Sequence, residues 1–290
     1  MKYTNKYNLP NNFYEAVVND PYDFTPTDKS ISVTGLISPP MVNHLQRRHY
    51  NELEADVSDS IWTLFGSAGH SVMERIPRNK DRIIEERIEV PIDGITVSGK
   101  CDLIDGTTLI DYKFTSVYAV IYNPEGKKEW VEQLNVLAYL WKSMNKSIDK
   151  LEIHAILKDW RKPKQYDAKY PPLPFHIIDI PLWSVESQEA FIKERIKIFK
   201  DTLLVPDEDI TPCTPEERWA MPTKYAIMKA GRKTAIRVFD SELEAVDFLP
   251  ESSGTYIEVR KGKDNRCEGY CSVKKFCKYW RDNEQIHANG

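Results

Sequence analysis

"SGKCDLIDGTTLIDYKFTS", residues 98–116, sets two aspartates, Asp102 and Asp111, and Lys113 in a sequence that otherwise reads as β-strand. Asp105-Gly106 is a two-residue turn signal of the kind that closes a β-hairpin. It predicts antiparallel strands in which Ile104 faces Thr107, Leu103 faces Thr108 and Asp102 faces Leu109. Side chains alternate along a strand, so Asp102, Ile104, Leu109, Asp111 and Lys113 project from one face, and Cys101, Leu103, Ile110 and Tyr112 from the other. Asp102 and Asp111 become diagonal neighbours about 7–8 Å apart. Two carboxylates at that spacing repel unless a cation lies between them. Mg²⁺ suits the place, because it takes one or two carboxylates and completes its shell with water and phosphate. Lys113, one pleat further on, suits the orientation of an attacking water or the neutralisation of phosphate charge. A solvent-facing hairpin with alternating polar residues is the competing reading. Leu109 and Ile104 weigh against it, since they half-bury the acidic face.

On either side of the hairpin the periodicities are clear. In "SDSIWTLFGSAGHSVMERI" (58–76) the apolar residues Ile61, Trp62, Leu64, Phe65, Val72, Met73 and Ile76 recur at helical spacing, with Ser58 or Asp59 as N-cap. Pro39 and Pro40 precede a helix from about Met41. "RIIEERIEVPI" (82–92) and "ITVSGKCDLID" (95–105) read as strands, "EWVEQLNVLAYLWKSM" (129–144) as a helix, "KLEIHAILKDW" (150–160) and "FHIIDIPL" (175–182) as strands, and "SQEAFIKERIKIFKDTL" (187–203) as a long amphipathic helix. The order α–β–β–β–α–β–β–α predicts one α/β or α+β core over 58–205, preceded by a helical and extended segment, 1–57. The proline-rich "VPDEDITPCTPEERW" (205–219) opens a second region, 206–290, which carries a ββαβ module over about 223–262.

The chain has 290 residues, enough for one substantial domain with embellishments or two small ones. With 41% hydrophobic and 29% charged residues it belongs to the globular class rather than the disordered or membrane classes. No run approaches a membrane span, and "MKYTNKYNLP" lacks the apolar core of a signal peptide, so a soluble cytoplasmic protein is expected, with no membrane partner. A net charge of −4 argues against indiscriminate coating of nucleic acid but leaves room for a basic patch. That patch is sought at Lys229, Arg232 and Lys233 around Gly231 in the module, and at Arg47 and Arg48 in "LQRRHY".

Of five cysteines, Cys101 stands alone, Cys213 follows a proline, and Cys267, Cys271 and Cys277 form a C-x3-C-x5-C group. Such a group supplies three thiolates to one centre, with Cys213 as the fourth; the spacing suits Zn²⁺ or an iron–sulfur cluster equally.

Asp102 on one strand and Asp111-Tyr112-Lys113 on the next resemble the signature of the PD-(D/E)XK nuclease superfamily, with Cys101 where a proline is usual. "GSAGH" (66–70) followed by Glu74 resembles the helix that precedes the sheet in RecB-like members. Gly66, one turn before His70, is the small residue that would clear space for backbone or substrate. The resemblance implies that His70, Asp102 and Asp111 hold Mg²⁺ or Mn²⁺, that the Tyr112 backbone carbonyl completes the shell, and that Lys113 assists hydrolysis. Gln133 resembles the glutamine of the Q-x-x-x-Y motif, although Leu137 stands where tyrosine is usual and Tyr139 lies on another face. One upstream cysteine plus a C-terminal triplet resembles iron–sulfur exonucleases of the CRISPR-associated RecB-like kind, and "CTPEERW" with "RCEGYC" resembles a phage-borne group; this implies a [4Fe-4S] cluster on Cys213, Cys267, Cys271 and Cys277. The family's first cysteine usually precedes the core, and its triplet more often begins C-x-x-C, so this chain departs from the pattern at both points.

The fold implied is a restriction-endonuclease-like core, a central mixed β-sheet flanked by helices, with a C-terminal cysteine-cluster region. The function implied is exonucleolytic hydrolysis of DNA ends in replication, recombination or repair, with DNA and proteins of those processes as partners, in the cytoplasm or nucleoid of a bacterial host. An endonuclease of the same fold, and a non-catalytic DNA-binding protein stapled by a four-cysteine metal site, are the alternatives.

Overall fold

A computed structural model describes residues 1–20, 27–249 and 254–288, with backbone alone from 284 onward. It divides into two units, Met1–Val205 and Pro206–Gly290. The first unit runs β1 (Lys2–Thr4), α1 (Asn11–Val18), β2 (Ser30–Ser32), α2 (Val33–Ile37), α3 (Pro40–Arg48), β3 (Glu54–Asp56), α4 (Ile61–Met73), β4 (Arg82–Ile84), β5 (Arg87–Ile92), β6 (Ile95–Lys100), β7 (Leu103–Asp105), β8 (Thr108–Thr115), α5 (Val117–Ile121), α6 (Lys128–Ser143), β9 (Lys150–Leu157), β10 (Phe175–Ile180) and α7 (Val185–Leu203).

The principal sheet is mixed, in the order β10-β9-β8-β7-β4, with β8 and β9 parallel and the other pairs antiparallel. Its β9 strand buries every second residue, Leu151, Ile153, Ala155 and Leu157, as a strand with one packed face must. Those residues join Ile104, Leu109, Ile178 and Ile180 and the α6 residues Leu134, Leu137 and Leu140 in the main core. The opposite face carries a smaller cluster, Ile84, Leu103, Ile110 and Tyr112, against which Met73 and Ile76 pack. Asn135 locks the helices in place: its amide donates to the carbonyls of Val131 and Pro181, and its oxygen accepts from the Trp183 amide and Gln188. All four of its hydrogen-bonding positions are thereby used, which is what complete burial of an amide demands.

A second sheet, β2-β6-β5, shares the main core, and Ile31, Val33 and Leu36 are buried in it. Within 1–57, the stretch 30–37 is therefore part of the main core. Each of the two long strands expected at 82–92 and 95–105 is broken in two. The chain leaves the first sheet for the second between β4 and β5, and returns to the first between β6 and β7. The two crossings lie side by side, with the Cys101 amide donating to the Glu86 carbonyl at 3.1 Å and the Glu85 amide to the Asp102 carbonyl at 3.1 Å.

The hairpin register also differs from the expected one. Asp105 pairs with Thr108, Ile104 with Leu109 and Leu103 with Ile110, so the loop is Gly106-Thr107 rather than Asp105-Gly106. Gly106 takes the first loop position with φ of +63°, where a primed turn calls for glycine. The alternation of faces is kept, but Asp102 moves from diagonal to Asp111 to directly opposite it when the register is continued one step.

The α4 N-terminus differs too. A short turn, Val57–Ser60, precedes the helix, and it is the Asp56 carboxylate that accepts from the Ser58 amide at 3.1 Å, not Ser58 or Asp59 that caps. None of the α4 residues is buried, so the apolar periodicity of 61–73 does not mark a core helix.

The second unit contains β11 (Ala220–Met221), β12 (Lys224–Lys229), β13 (Arg237–Phe239), α8 (Glu242–Phe248), β14 (Thr255–Arg260), β15 (Lys263–Asp264), α9 (Asn265–Gly269) and α10 (Lys278–Ala288). β12 is central in a three-stranded antiparallel sheet, β13-β12-β14, with α8 following β13. Among the described residues, no helix is long and apolar enough to cross a membrane.

Candidate metal centre

Asp102 lies in the crossing between β6 and β7, outside both strands. Its Oδ2 accepts from the Tyr112 amide at 2.8 Å, so the backbone of β8 fixes the carboxylate. From α4, His70 Nδ1 stands 3.5 Å from Asp102 Oδ2 and 3.6 Å from Glu85 Oε1. The imidazole is held edge-on to the Tyr112 ring, centroids 6.4 Å apart, and tilted to Phe114 at 5.9 Å. The helix comes this close because Gly69 has no side chain: a Cβ there would stand 2.0 Å from the Phe114 ring. Gly66, the glycine singled out in the sequence, has open space where a Cβ would be. Close approach is thus the property of Gly69.

His70, Glu85 and Asp102 each offer a ligand atom within 4.8 Å of the others. Glu85 is the residue that sequence reasoning missed. It occupies the crossing between β4 and β5 with φ of +52°, a left-handed conformation uncommon for glutamate. The Lys100 ammonium pairs with its other oxygen. A pair of adjacent glutamates inside a strand pattern, Glu85-Glu86, was the available signal.

Asp111 is buried on the α6-facing side of the sheet, and the structure does not bring it into the His70–Glu85–Asp102 group. Its Oδ2 lies 2.7 Å from Lys113 Nζ, and its Oδ1 accepts from Gln133 Nε2 at 3.1 Å. Lys113 in turn donates to Gln133 Oε1 at 3.2 Å. Gln133 therefore closes a triangle that fixes the carboxylate and the ammonium together. Tyr139 is packed against the main core rather than beside it.

The electrostatics of the centre ask for a cation. Burial, and then the charge of Asp111, push the Asp102 carboxyl up to about 7, against the opposing pull of His70. The bond to Glu85 raises His70. Burial works to raise Glu85, but His70 and Lys100 hold it below the ordinary carboxylate range. Burial works to lower Lys113, and Asp111 outweighs it and keeps the ammonium charged. Hard oxygen donors with one imidazole are a donor set that Mg²⁺ and Mn²⁺ accept, so the residues present fit the metal.

In the second unit the four cysteines feel one another. Burial, then the neighbouring charges of Glu217, Cys277 and Cys271, push Cys213 up to about 12; burial and Cys271 push Cys267 up to about 11; burial raises Cys271. Arg218 ties Cys213 to this neighbourhood, donating to its carbonyl and to buried Asp264, whose Oδ2 also accepts from Tyr279 Oη at 2.8 Å. Cys101 is fully buried in the core of the first unit, its thiol raised to about 12 by burial.

Of the expected basic positions, Lys229, Arg232 and Lys233 are exposed around the Gly231 turn. Arg47 is partly buried and Arg48 is exposed. Arg47 stacks at 4.9 Å over Phe199, and Arg48 donates to the Leu203 and Val205 carbonyls at the end of α7. Unsatisfied carbonyls at a helix C-terminus attract such a donor.

No family model matches the chain, and no curated protein matches it. A solved structure described as "Crystal structure of SSO0001" is similar, at 18% identity over 72% of this chain and 88% of that one, with a TM-score of 0.45; at that score the likeness carries no inference.

Proposed function

We propose that this protein is a metal-dependent DNA nuclease, an exonuclease acting on DNA ends, built on a restriction-endonuclease-like core of the RecB-like PD-(D/E)XK kind. The observation that carries the reading is the convergence of His70, Glu85 and Asp102 at a crossing between two sheets, with Lys113 and Asp111 on the adjoining strand. His70, Asp102 and Glu85 would hold Mg²⁺ or Mn²⁺, with Asp111 and the Tyr112 carbonyl beside them. The ion, when bound, supplies Lewis-acid activation of water and of the phosphodiester. Lys113 keeps its proton through Asp111, so it donates to the attacking water or to the phosphate oxygen on which charge develops. Gln133 keeps Lys113 from collapsing elsewhere. Asp102, fixed by the Tyr112 amide, gives up its proton near neutrality and then carries negative charge toward the ion.

In the same reading Cys213, Cys267, Cys271 and Cys277 hold a [4Fe-4S] cluster. The mutual charge felt by Cys213, Cys267, Cys271 and Cys277 supports one shared centre, with a single zinc as the alternative occupant. Lys229, Arg232 and Lys233 supply phosphate contacts, and the setting is a bacterial cytoplasm with recombination or replication proteins as partners.

The test is degradation of linear against covalently closed circular DNA with Mn²⁺. The wild type is expected to degrade the linear form, and Asp111→Ala and Lys113→Ala to lose at least about a hundredfold in rate. Undiminished degradation by both variants would remove the assignment, and equal attack on closed circles would make the enzyme an endonuclease.

A further inference from the structure

One side of α4 is apolar yet lies in water. Trp62 is 65% exposed, Phe65 is 48% exposed, and Ile61 and Val72 are exposed as well. A tryptophan left outside forfeits burial of up to about 250 Å², so a contiguous patch of this kind marks a surface that something covers. Two features say what covers it. First, the patch reaches the metal centre through a ring: Phe65 meets Phe114 edge-on at 6.0 Å, Phe114 meets His70 at 5.9 Å, and Trp62 lies eight positions before His70 on the same helix, about 12 Å along the axis. Second, the patch is interleaved with cations. Lys158 Nζ stands 4.1 Å over the Trp62 ring, and Arg161, Lys162 and Lys164 follow in the same exposed turn. Asp159, the next residue, accepts from the Val117 amide at 2.7 Å and so fixes α5, which presents Tyr118 and Tyr122 stacked on each other at 5.8 Å.

Aromatic rings beside lysine and arginine are what a single nucleic acid strand requires, since each base offers a π-face and each phosphate a charge. The ammonium seated on the Trp62 ring adds a phosphate contact beside the stacking surface. We infer that Trp62, with Lys158 over its ring, is a stacking platform for an unpaired nucleobase of the strand whose phosphate reaches the metal centre. This rests on the nuclease reading given above and adds a positioning residue to it: the stacked base holds the strand a few nucleotides from the cut.

The experiment is fluorescence anisotropy of the full chain in EDTA, with a labelled oligodeoxythymidylate and a duplex of equal length. Trp62→Ala is expected to weaken single-strand binding about tenfold or more, and Trp62→Phe to retain most of the affinity because a ring remains. Lys158→Gln is expected to flatten the dependence of log affinity on log salt by about one unit. Circular dichroism and sedimentation accompany each variant. An unchanged affinity for Trp62→Ala overturns the inference, as does an equal loss with the duplex, or conversion of a dimer to monomer by that substitution. Wild-type hydrolysis of a chromogenic thymidine phosphodiester with Mn²⁺ reads the metal centre by itself. Its absence defeats the nuclease reading, and a Trp62 without effect on oligonucleotide binding defeats only the platform.

Discussion

Asp102 is a carboxyl that holds its proton to about pH 7, because it is buried and feels the charge of Asp111. A divalent ion binds the deprotonated form, so below that pH the ion has to displace a proton, and affinity falls as the solution is acidified. Titration with Mn²⁺ is expected to show Kd rising from pH 8 to pH 6, approaching about tenfold per unit on the acid side; a flat profile would mean that Asp102 takes no part. Glu85→Gln is expected to weaken Mn²⁺ at least about tenfold, since it removes the charge that also anchors His70. Calorimetry gives both numbers. Asp111 and Lys113 were legible as neighbours on one face because strand alternation assigns faces without any knowledge of the sheet, whereas Asp102 lies outside both strands and Asp111 stands apart from the His70 group. Glu85 was not legible, because its place depends on a left-handed residue at a strand break, which no periodicity announces. The charge of Arg47 and Arg48 was legible too, but their partners, an aromatic ring and a nearby helix end, were not.

At the level of elements, the decisive fact is that two strands cross together from one sheet to the other. The sequence carries no break at 85–86 or 101–102 beyond its unpaired polar residues, so each crossing reads as one long strand. The crossing is nonetheless what brings the Glu85 and Asp102 carboxylates together beside His70. The α4 helix depends on Gly69 to reach the sheet. Gly69→Ala is expected to cost about 1–3 kcal/mol, as a Cβ driven into a packed ring does, and to lower the thermal midpoint. Gly66→Ala, with open space at its Cβ, is expected to leave stability unchanged or to raise it, by up to about 1 kcal/mol from helix propensity. Thermal unfolding of the two variants separates them; the reverse order would mean that α4 approaches the sheet elsewhere along its length.

For the molecule as a whole, the second unit is small, and Cys213, Cys267 and Cys271 bear thiols that burial makes hard to ionise. Such thiols become thiolates when a metal centre compensates their charge, so metal and folding are linked there. Anaerobically purified protein is expected to be brown and to contain iron and sulfide, and Cys271→Ala to lose both along with protease resistance of residues 206–290. Zinc in place of iron would correct the cluster and leave the first unit untouched. The boundary between the units coincides with a change of composition that was plain in the sequence, whereas the joining of residues 30–37 to the main core was not, because short β2 and α2 lack a periodic signature. If the crossing between the sheets hydrolyses phosphodiesters, digestion of strand-end-labelled DNA with Mn²⁺ reads it out. The wild type is expected to shorten the labelled strand progressively from an end and Asp102→Ala to leave it intact, whereas equal shortening by both would place the hydrolytic site elsewhere.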